Sequence, residues 1–294
     1  MTKPATSPAS PALSAACAAL GLAAEDAVPI RLAENEIWRL PGGVVARIAK
    51  AGQWEATVRE VRIAHWLAEH EVPAVRPVAT EQPVLAHHRP VSYWEELPAH
   101  EHGTLRDLVQ LLLQLHSTPI PDFPIGRLQP FVRVRERINA ATSLSKEDRQ
   151  WLRDLANDLE HSWKHLPPGL DACMIHGDAW VGNVAKTAEG PVLLDLERFA
   201  VGPPEWDLVS TAVKMTTTGA VSRQEYEEFC DAYGADVTEW AGYDTLRATR
   251  ELRMTTYAAQ HAATQPDWQP QAQHRVDCLR GRNGPRPWKW KGIL

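Results

Sequence analysis

The apolar residues of this chain change their period around His102, and that change restricts the folds open to it. From Val28 to Lys50 they alternate in three short runs, PIRLA, EIWRL and VVARIAK, separated by AEN and PGG. Alternation over a few residues with turn formers between the runs describes half-buried strands. The next stretch, QWEATVREVRIAHWLAEHE, places Trp54, Val58, Val61, Ile63, Ala64 and Leu67 at helical spacing. VPAVRPVA and RPVSYWEEL read as two further strands, which gives the order β-β-β-α-β-β. Beyond LPAHEHG the texture is helical. GTLRDLVQLLLQLHS opens on a capping box of Thr104 and Asp107, and SKEDRQWLRDLANDLEHSWKHL opens on Ser145 and Asp148 and runs to Pro167-Pro168. ACMIH, NVAK and PVLLDL form short strands, and three or four helices follow GPPEWD, one of them capped by Ser222 and Glu225. The expectation is an α+β chain in two lobes: a leader with a first short helix over 1–27, a small β-rich lobe over 28–97, and a larger α-helical lobe over 98–294.

A chain of 294 residues with 44% hydrophobic and 23% charged residues has the composition of a globular protein with a substantial core. Its net charge of -6 contains no block of like charges, which argues against nucleic acid as a partner. Cys17, Cys173, Cys230 and Cys278 are widely spaced and include no CxxC pair, so a zinc site or disulfide framework is not expected and a reducing cytoplasm fits. No apolar run approaches the ~18 residues that span a bilayer. The Ala-rich start loosely imitates a signal peptide, but Pro4, Pro8 and Pro11 favour a leader running into a helix.

The chemistry concentrates in MIHGDAWVGNV, residues 174–184, and the LLDLE that follows. Asp178, Asn183 and Asp195 put three oxygen-bearing side chains around one short hairpin. Such ligands suit a hard cation such as Mg2+, which keeps several waters and shares its shell with substrate phosphates. The bland alternative is a polar turn followed by a strand end. HGD alone does not decide between them; HGD, then Asn five positions after the Asp, then an apolar strand ending in Asp, is far more specific. The protein-kinase catalytic loop spaces His, Asp and Asn in the same way ahead of a metal-binding Asp. Upstream, Arg47 on the third strand and Glu60 on the following helix stand where a kinase needs a phosphate-binding cation and its carboxylate partner.

On HGDAWVGN, LLDLERF and GPPEWD, the chain resembles the aminoglycoside phosphotransferase family, small-molecule kinases of the two-lobed protein-kinase-like fold. The resemblance extends from AENEIW through GPPEWDL and beyond. It implies ATP and Mg2+ as cofactors, Asp178 as the catalytic aspartate, and Asn183 and Asp195 as metal ligands. Arg47 and Glu60 then hold the nucleotide, with hinge contacts to adenine from Glu95 and Leu97 in SYWEEL. His176 braces the loop and Asp207 buttresses it.

Two features depart from the family's usual pattern. Arginine stands at position 47 where these kinases often have lysine, with Lys50 as a possible substitute on the other face. No GxGxxG precedes the third strand, so the AEN turn over 33–35 has to cover the phosphates. Gly177 replaces the arginine of the protein-kinase HRD, and PPE follows Asp195 too closely for an activation loop, so a small hydroxyl-bearing acceptor is expected. An aminoglycoside or other antibiotic, and with it antibiotic resistance, is one possibility. A metabolic alcohol of choline-like or sugar-like type is another, and a pseudokinase that only binds nucleotide is a third. A cationic acceptor needs carboxylates, for which Glu225, Glu227, Asp236 and Asp244 are raw material unless they form solvated helix faces. Trp180 and Glu197 are further acceptor candidates. The basic, tryptophan-bearing tail RGRNGPRPWKWKGIL is expected to pack on the helical lobe rather than to bind nucleic acid.

Overall fold

The structure is a computed structural model that describes residues 10–32 and 35–292. Its first part runs α1 (Pro11–Ala19), β1 (Val28–Leu32), β2 (Glu36–Leu40), β3 (Val44–Ile48), α2 (Trp54–Glu69), β4 (Val84–Ala86), β5 (Arg89–Glu95), β6 (Glu101–His102) and α3 (Leu105–Ser117). The remainder comprises α4 (Val134–Ala140), α5 (Lys146–Trp163), β7 (Cys173–Ile175), β8 (Val184–Thr187), β9 (Gly190–Leu193), β10 (Ala200–Gly202), α6 (Glu205–Val213), a π-helical turn (Lys214–Thr218), α7 (Arg223–Tyr233), α8 (Tyr243–Thr264) and α9 (Gln269–Leu279). The small β-rich and larger helical lobes expected of an α+β chain are both present.

The chain divides into two compact units: Met1–Ile125 with Val181–Phe199, and Gly126–Trp180 with Ala200–Leu294. In the first, an antiparallel sheet has the order β1-β2-β3-β5-β4. Alternation sends Trp38, Leu40, Ala46 and Ile48 inward, where they meet Tyr93 and the buried face of α1, Ala12, Leu13, Ala16 and Cys17. The short helix that ends the leader is thus part of this sheet's core; its N-terminus is capped by the Ser10 hydroxyl. α2 buries Val61, Ile63, Ala64 and Leu67 as its spacing predicts, whereas Trp54 at its first turn stays exposed. α3 begins at the expected box, with Thr104 and Asp107 each accepting from the other's backbone. Its stripe of Leu108, Leu111, Leu112 and Leu115 is fully buried, each such side chain stabilising the fold by about 1.5–3 kcal/mol. A three-stranded sheet, β6-β8-β9, completes the unit.

One expected strand is different. VPAVRPVA makes isolated bridges at Ala74 and Pro77 rather than a ladder. Pro73 and Pro77 have no N–H to donate and restrict the residues before them, so pairing cannot propagate. The strand beside β5 is β4, Val84–Ala86, joined to it through His87 and His88 at positive φ.

The second unit is a helical assembly around Val134, Ile138, Leu152, Ala156, Leu252, Ala259 and Val276. α5 starts on Ser145 as expected but ends at Trp163, before the proline pair. α7 has its capping box of Ser222 and Glu225. The tail packs as expected: Trp288 and Trp290 are buried with Cys278 and stack at 5.3 Å. No helix among the described residues is long and apolar enough to cross a membrane.

Candidate active site

A cleft of about 620 Å³ opens in the first unit, and Arg47, Glu60, Glu95, Leu97, Asn183 and Asp195 all line it. Strand pairing explains how residues so distant in sequence meet. Arg47 lies opposite Ile37 on β2 and Ser92 on β5. The neighbouring position on the same pleat face, Val45, pairs with Trp94, which leads into Glu95. Asn183 closes a 3₁₀ turn and its carbonyl accepts from the Leu194 N–H at 2.9 Å, fixing it next to the strand end that carries Asp195. Asp195 has φ 54°, a left-handed conformation that Asp tolerates better than most residues.

Arg47 uses its fork. One terminal nitrogen donates to Glu60 and the other to Glu197 at 3.4 Å. Glu60, on the buried face of α2, is 7% exposed; burial pushes its pKa above the ordinary carboxylate value, and the Arg47 guanidinium offsets this only in part. Burial opposes the Arg47 charge, but the Glu60, Asp195 and Glu197 carboxylates outweigh it and hold the pKa above the ordinary arginine value. Lys50 lies beyond the end of β3 and is exposed, on no part of this cleft. Glu197, expected near an acceptor, points its carboxylate to Arg47, and its carbonyl accepts from Arg59 at 2.5 Å. Arg59 also donates to the carbonyls of Ile125 and Phe199 at 3.0 Å, pinning the DLERF turn.

At the end of β5, the Glu95 N–H donates to Arg76 O at 2.8 Å and the Glu96 N–H to Gly43 O at 2.7 Å. The apolar part of the cleft is Ile30, Ile37, Val45, Val75 and Leu194. Of the AEN turn, Ala33 and Glu34 lie outside the described residues, while Asn35 lines the cleft.

Asp178 belongs to the second unit. The Asp207 carboxylate, in the first turn of α6, accepts from the backbone N–H of His176 at 2.7 Å and of Gly177 at 2.9 Å. Trp206 donates its indole N–H to Gly177 O at 2.9 Å. His176 is fully buried, and its Nδ1 accepts from the Asp178 N–H at 3.3 Å. Gly177 has φ 81°, so the bend that presents Asp178 favours glycine on steric grounds as well. Arg250, from the middle of α8, donates to Asp178 Oδ1 at 3.3 Å and to Trp206 O at 2.9 Å. Burial lowers the Arg250 pKa, with Asp178 and Asp207 opposing. Lys214 sets its ammonium 4.2 Å from the centre of the Trp180 ring. In the sequence, Arg250 and Lys214 look like any helix-surface cations.

Four of the acids after Ser222 have partners of their own. Glu225 belongs to the α7 cap, and Asp236 accepts from Tyr226 at 2.6 Å and from the Thr238 N–H at 2.8 Å. Glu227 and Asp244 pair with Arg223 and Arg247 on their own helices.

Among the described residues, no group of three or more His, Cys, Asp or Glu side chains is placed to hold a metal by itself. Asn183 and Asp195, two oxygen donors on one cleft, fit a hard cation that takes its remaining ligands from phosphate and water.

The sequence model of the phosphotransferase enzyme family (APH) matches residues 27–252. No curated protein sequence matches this chain. Among solved structures, the choline kinase LicA from Streptococcus pneumoniae is 15% identical over 84% of this chain and 90% of its own, with a TM-score of 0.61. The spectinomycin phosphotransferase APH(9)-Ia, in complex with ADP and spectinomycin, is 15% identical over 90% and 91%, with a TM-score of 0.59. The aminoglycoside phosphotransferase APH(3'')-Id from Streptomyces rimosus, in complex with ADP and streptomycin, is 17% identical over 76% and 92%, with a TM-score of 0.54. At these identities the matches carry the kinase-like fold, and the family match spans most of the chain. The protein therefore belongs to the phosphotransferase enzyme family and has its two-lobed kinase-like architecture.

Proposed function

We propose that this phosphotransferase moves the γ-phosphoryl group of ATP, with Mg2+, to a hydroxyl of a small molecule. The observation that carries this is the convergence of Arg47, Glu60, Asn183 and Asp195 on one cleft. Residues 28–97 form the nucleotide lobe and residues 98–294 supply the catalytic and acceptor groups. Glu95 and Leu97 hold the base through their backbone. Arg47, kept charged by its three carboxylates, binds the nucleotide phosphates. Asn183 and Asp195 would hold Mg2+, which when bound neutralises charge on the phosphates.

Asp178 orients the acceptor hydroxyl and takes its proton as the oxygen attacks the γ-phosphorus and the bridging P–O bond to the β-phosphate breaks, leaving ADP. Asp207, Trp206 and Arg250 keep the Asp178 loop in one geometry while this happens. The absence of any long segment between Asp195 and Pro203 supports a site that needs no activation-loop phosphorylation. The wide spacing of the chain's four cysteines supports work in the reducing cytoplasm.

The structural relatives include kinases of antibiotics and of choline, so both acceptor classes are open to test. Purified protein with ATP, Mg2+ and a panel of hydroxyl-bearing antibiotics and metabolites should yield a product heavier by one phosphate. Asp178→Ala should lower that rate by ~10²–10⁴-fold, the usual contribution of a positioned base. Transfer at the wild-type rate by the variant would remove Asp178 from this role. Tight nucleotide binding with no acceptor ever modified would favour a pseudokinase.

A further inference from the structure

Resting on the reading above, we infer that the acceptor carries an anionic group, a carboxylate or phosphate, near the hydroxyl that is phosphorylated, and that Lys214 with the Trp180 face receives it. Two cations stand near Asp178 within its own unit, Arg250 and Lys214. Arg250 is buried and bonded to Asp178 at 3.3 Å. Lys214 is a second cation within electrostatic reach of Asp178, and it is partly desolvated. Asp178 already has Arg250 as its bonded cationic partner, so Lys214 is surplus to that carboxylate, and burying its ammonium has a cost. That cost is offset if an anion arrives with the acceptor.

The backbone is built to hold this lysine in place. Lys214 begins the π-helical turn, a wide turn that a helix seldom keeps without a functional reason. Its carbonyl accepts from Ala220 N–H at 2.9 Å and from the Thr218 hydroxyl at 3.0 Å. Thr217 in the same turn donates to buried Glu251 at 2.6 Å and accepts from the Trp288 N–H at 2.7 Å, so α8 and the tail both grip the turn. Trp180, two residues after Asp178, is 39% exposed and supplies an apolar face beneath the ammonium. A polycation would meet Lys214 and Arg250 here, whereas Glu225 and Asp236 are taken up in caps and Glu227 and Asp244 pair with arginines of their own helices.

The test uses the full chain with ATP and Mg2+ and acceptors matched in size but not charge. Gluconate, glycerate and glucose 6-phosphate are set against sorbitol, glycerol and glucose, and against the amine-bearing kanamycin and choline, together with a deproteinised metabolite extract. Products are located by mass. The expected result is preferential transfer to anionic acceptors. Lys214→Met should then lower their kcat/KM by ~10-fold or more, the worth of a charge-assisted contact, chiefly through KM, and bring the anionic-to-neutral ratio towards one. Lys214→Arg should keep the preference. Preference for neutral or amine-bearing acceptors, or an equal loss on all acceptors in Lys214→Met, would overturn the inference while leaving the kinase reading intact. No transfer to any compound despite bound nucleotide would overturn both.

Discussion

Arg47 presents two nitrogens to two carboxylates, Glu60 and Glu197, where a lysine would offer one ammonium. Removing it leaves Glu60 buried without its partner and takes the cation from the cleft. Arg47→Ala should weaken ATP binding by ~10-fold or more, on the scale of a lost charge-assisted bond of about 1.5–3 kcal/mol. Arg47→Lys should restore only part of this, as read by titration calorimetry. Unchanged affinity in Arg47→Ala would move the phosphate contact to another cation. Arg250 belongs to a different step. Arg250→Met should cut kcat by ~10–100-fold, because a small misplacement of a reacting group has that effect, while the ATP dissociation constant stays near the wild-type value. A change confined to nucleotide affinity would contradict the positioning of Asp178 by Arg250. These two arginines also mark how far sequence reasoning reaches. Arg47 was legible because strand order and the HGD motif gave it a place; Arg250 was not, since a cation in the middle of RATRELR has no local signature of burial.

At the level of elements, α5 and α9 are tied by Asp148 and Arg280 at 2.5 Å, with side-chain exposures of 8% and 16%. Burial alone would raise the Asp148 pKa, but bonds from Arg280, Gln273 and Ser145 bring it below the ordinary aspartate value. The carboxylate therefore contributes stability that is fully present above the unfolded pKa of about 3.9 and is lost as pH falls through the lower folded value. Asp148→Asn should lower stability near pH 7, by about 1.5–3 kcal/mol on the charge-assisted scale, and flatten the acid limb of a plot of thermal midpoint against pH below about 4. An acid limb of unchanged steepness would assign that pH dependence to other carboxylates. The helix starts at Thr104, Ser145 and Ser222 could be read directly, because the capping hydroxyl and the acid three residues on lie close in sequence, although at Ser145 only the hydroxyl half of the box forms. The short helix α4 could not: its N-cap is Arg133 in a left-handed conformation, with no side-chain cap to announce it. VPAVRPVA misled through its apolar alternation, which ignores the hydrogen bonds its prolines cannot make.

On the scale of the whole chain, the C-terminal residues belong to the core of the helical unit. Arg286 makes two bonds to Glu251 at 2.7 and 2.8 Å and lies over Trp288, while Arg275 lies over Trp290. Trp288→Ala should destabilise this unit by about 3–5 kcal/mol, the usual loss for a buried aromatic, seen as a lower thermal midpoint by circular dichroism. An unchanged midpoint would mean that the tail only rests on the surface. The two-lobed organisation followed from the change of hydrophobic period, whereas the discontinuity of its compact units did not, because periodicity reports on elements and not on which element each one packs against. That discontinuity bears on any attempt to treat the nucleotide cleft as a portable module. The chain leaves the first unit at Ile125 and returns for Val181–Phe199, the segment that brings Asn183, Asp195 and Glu197. A gene fragment ending at Ile125 encodes Arg47 and Glu60 without Asn183, Asp195 and Glu197, so recombination or truncation at that natural-looking seam yields half a binding site. The cleft can be inherited only with the whole stretch of chain that loops away and comes back.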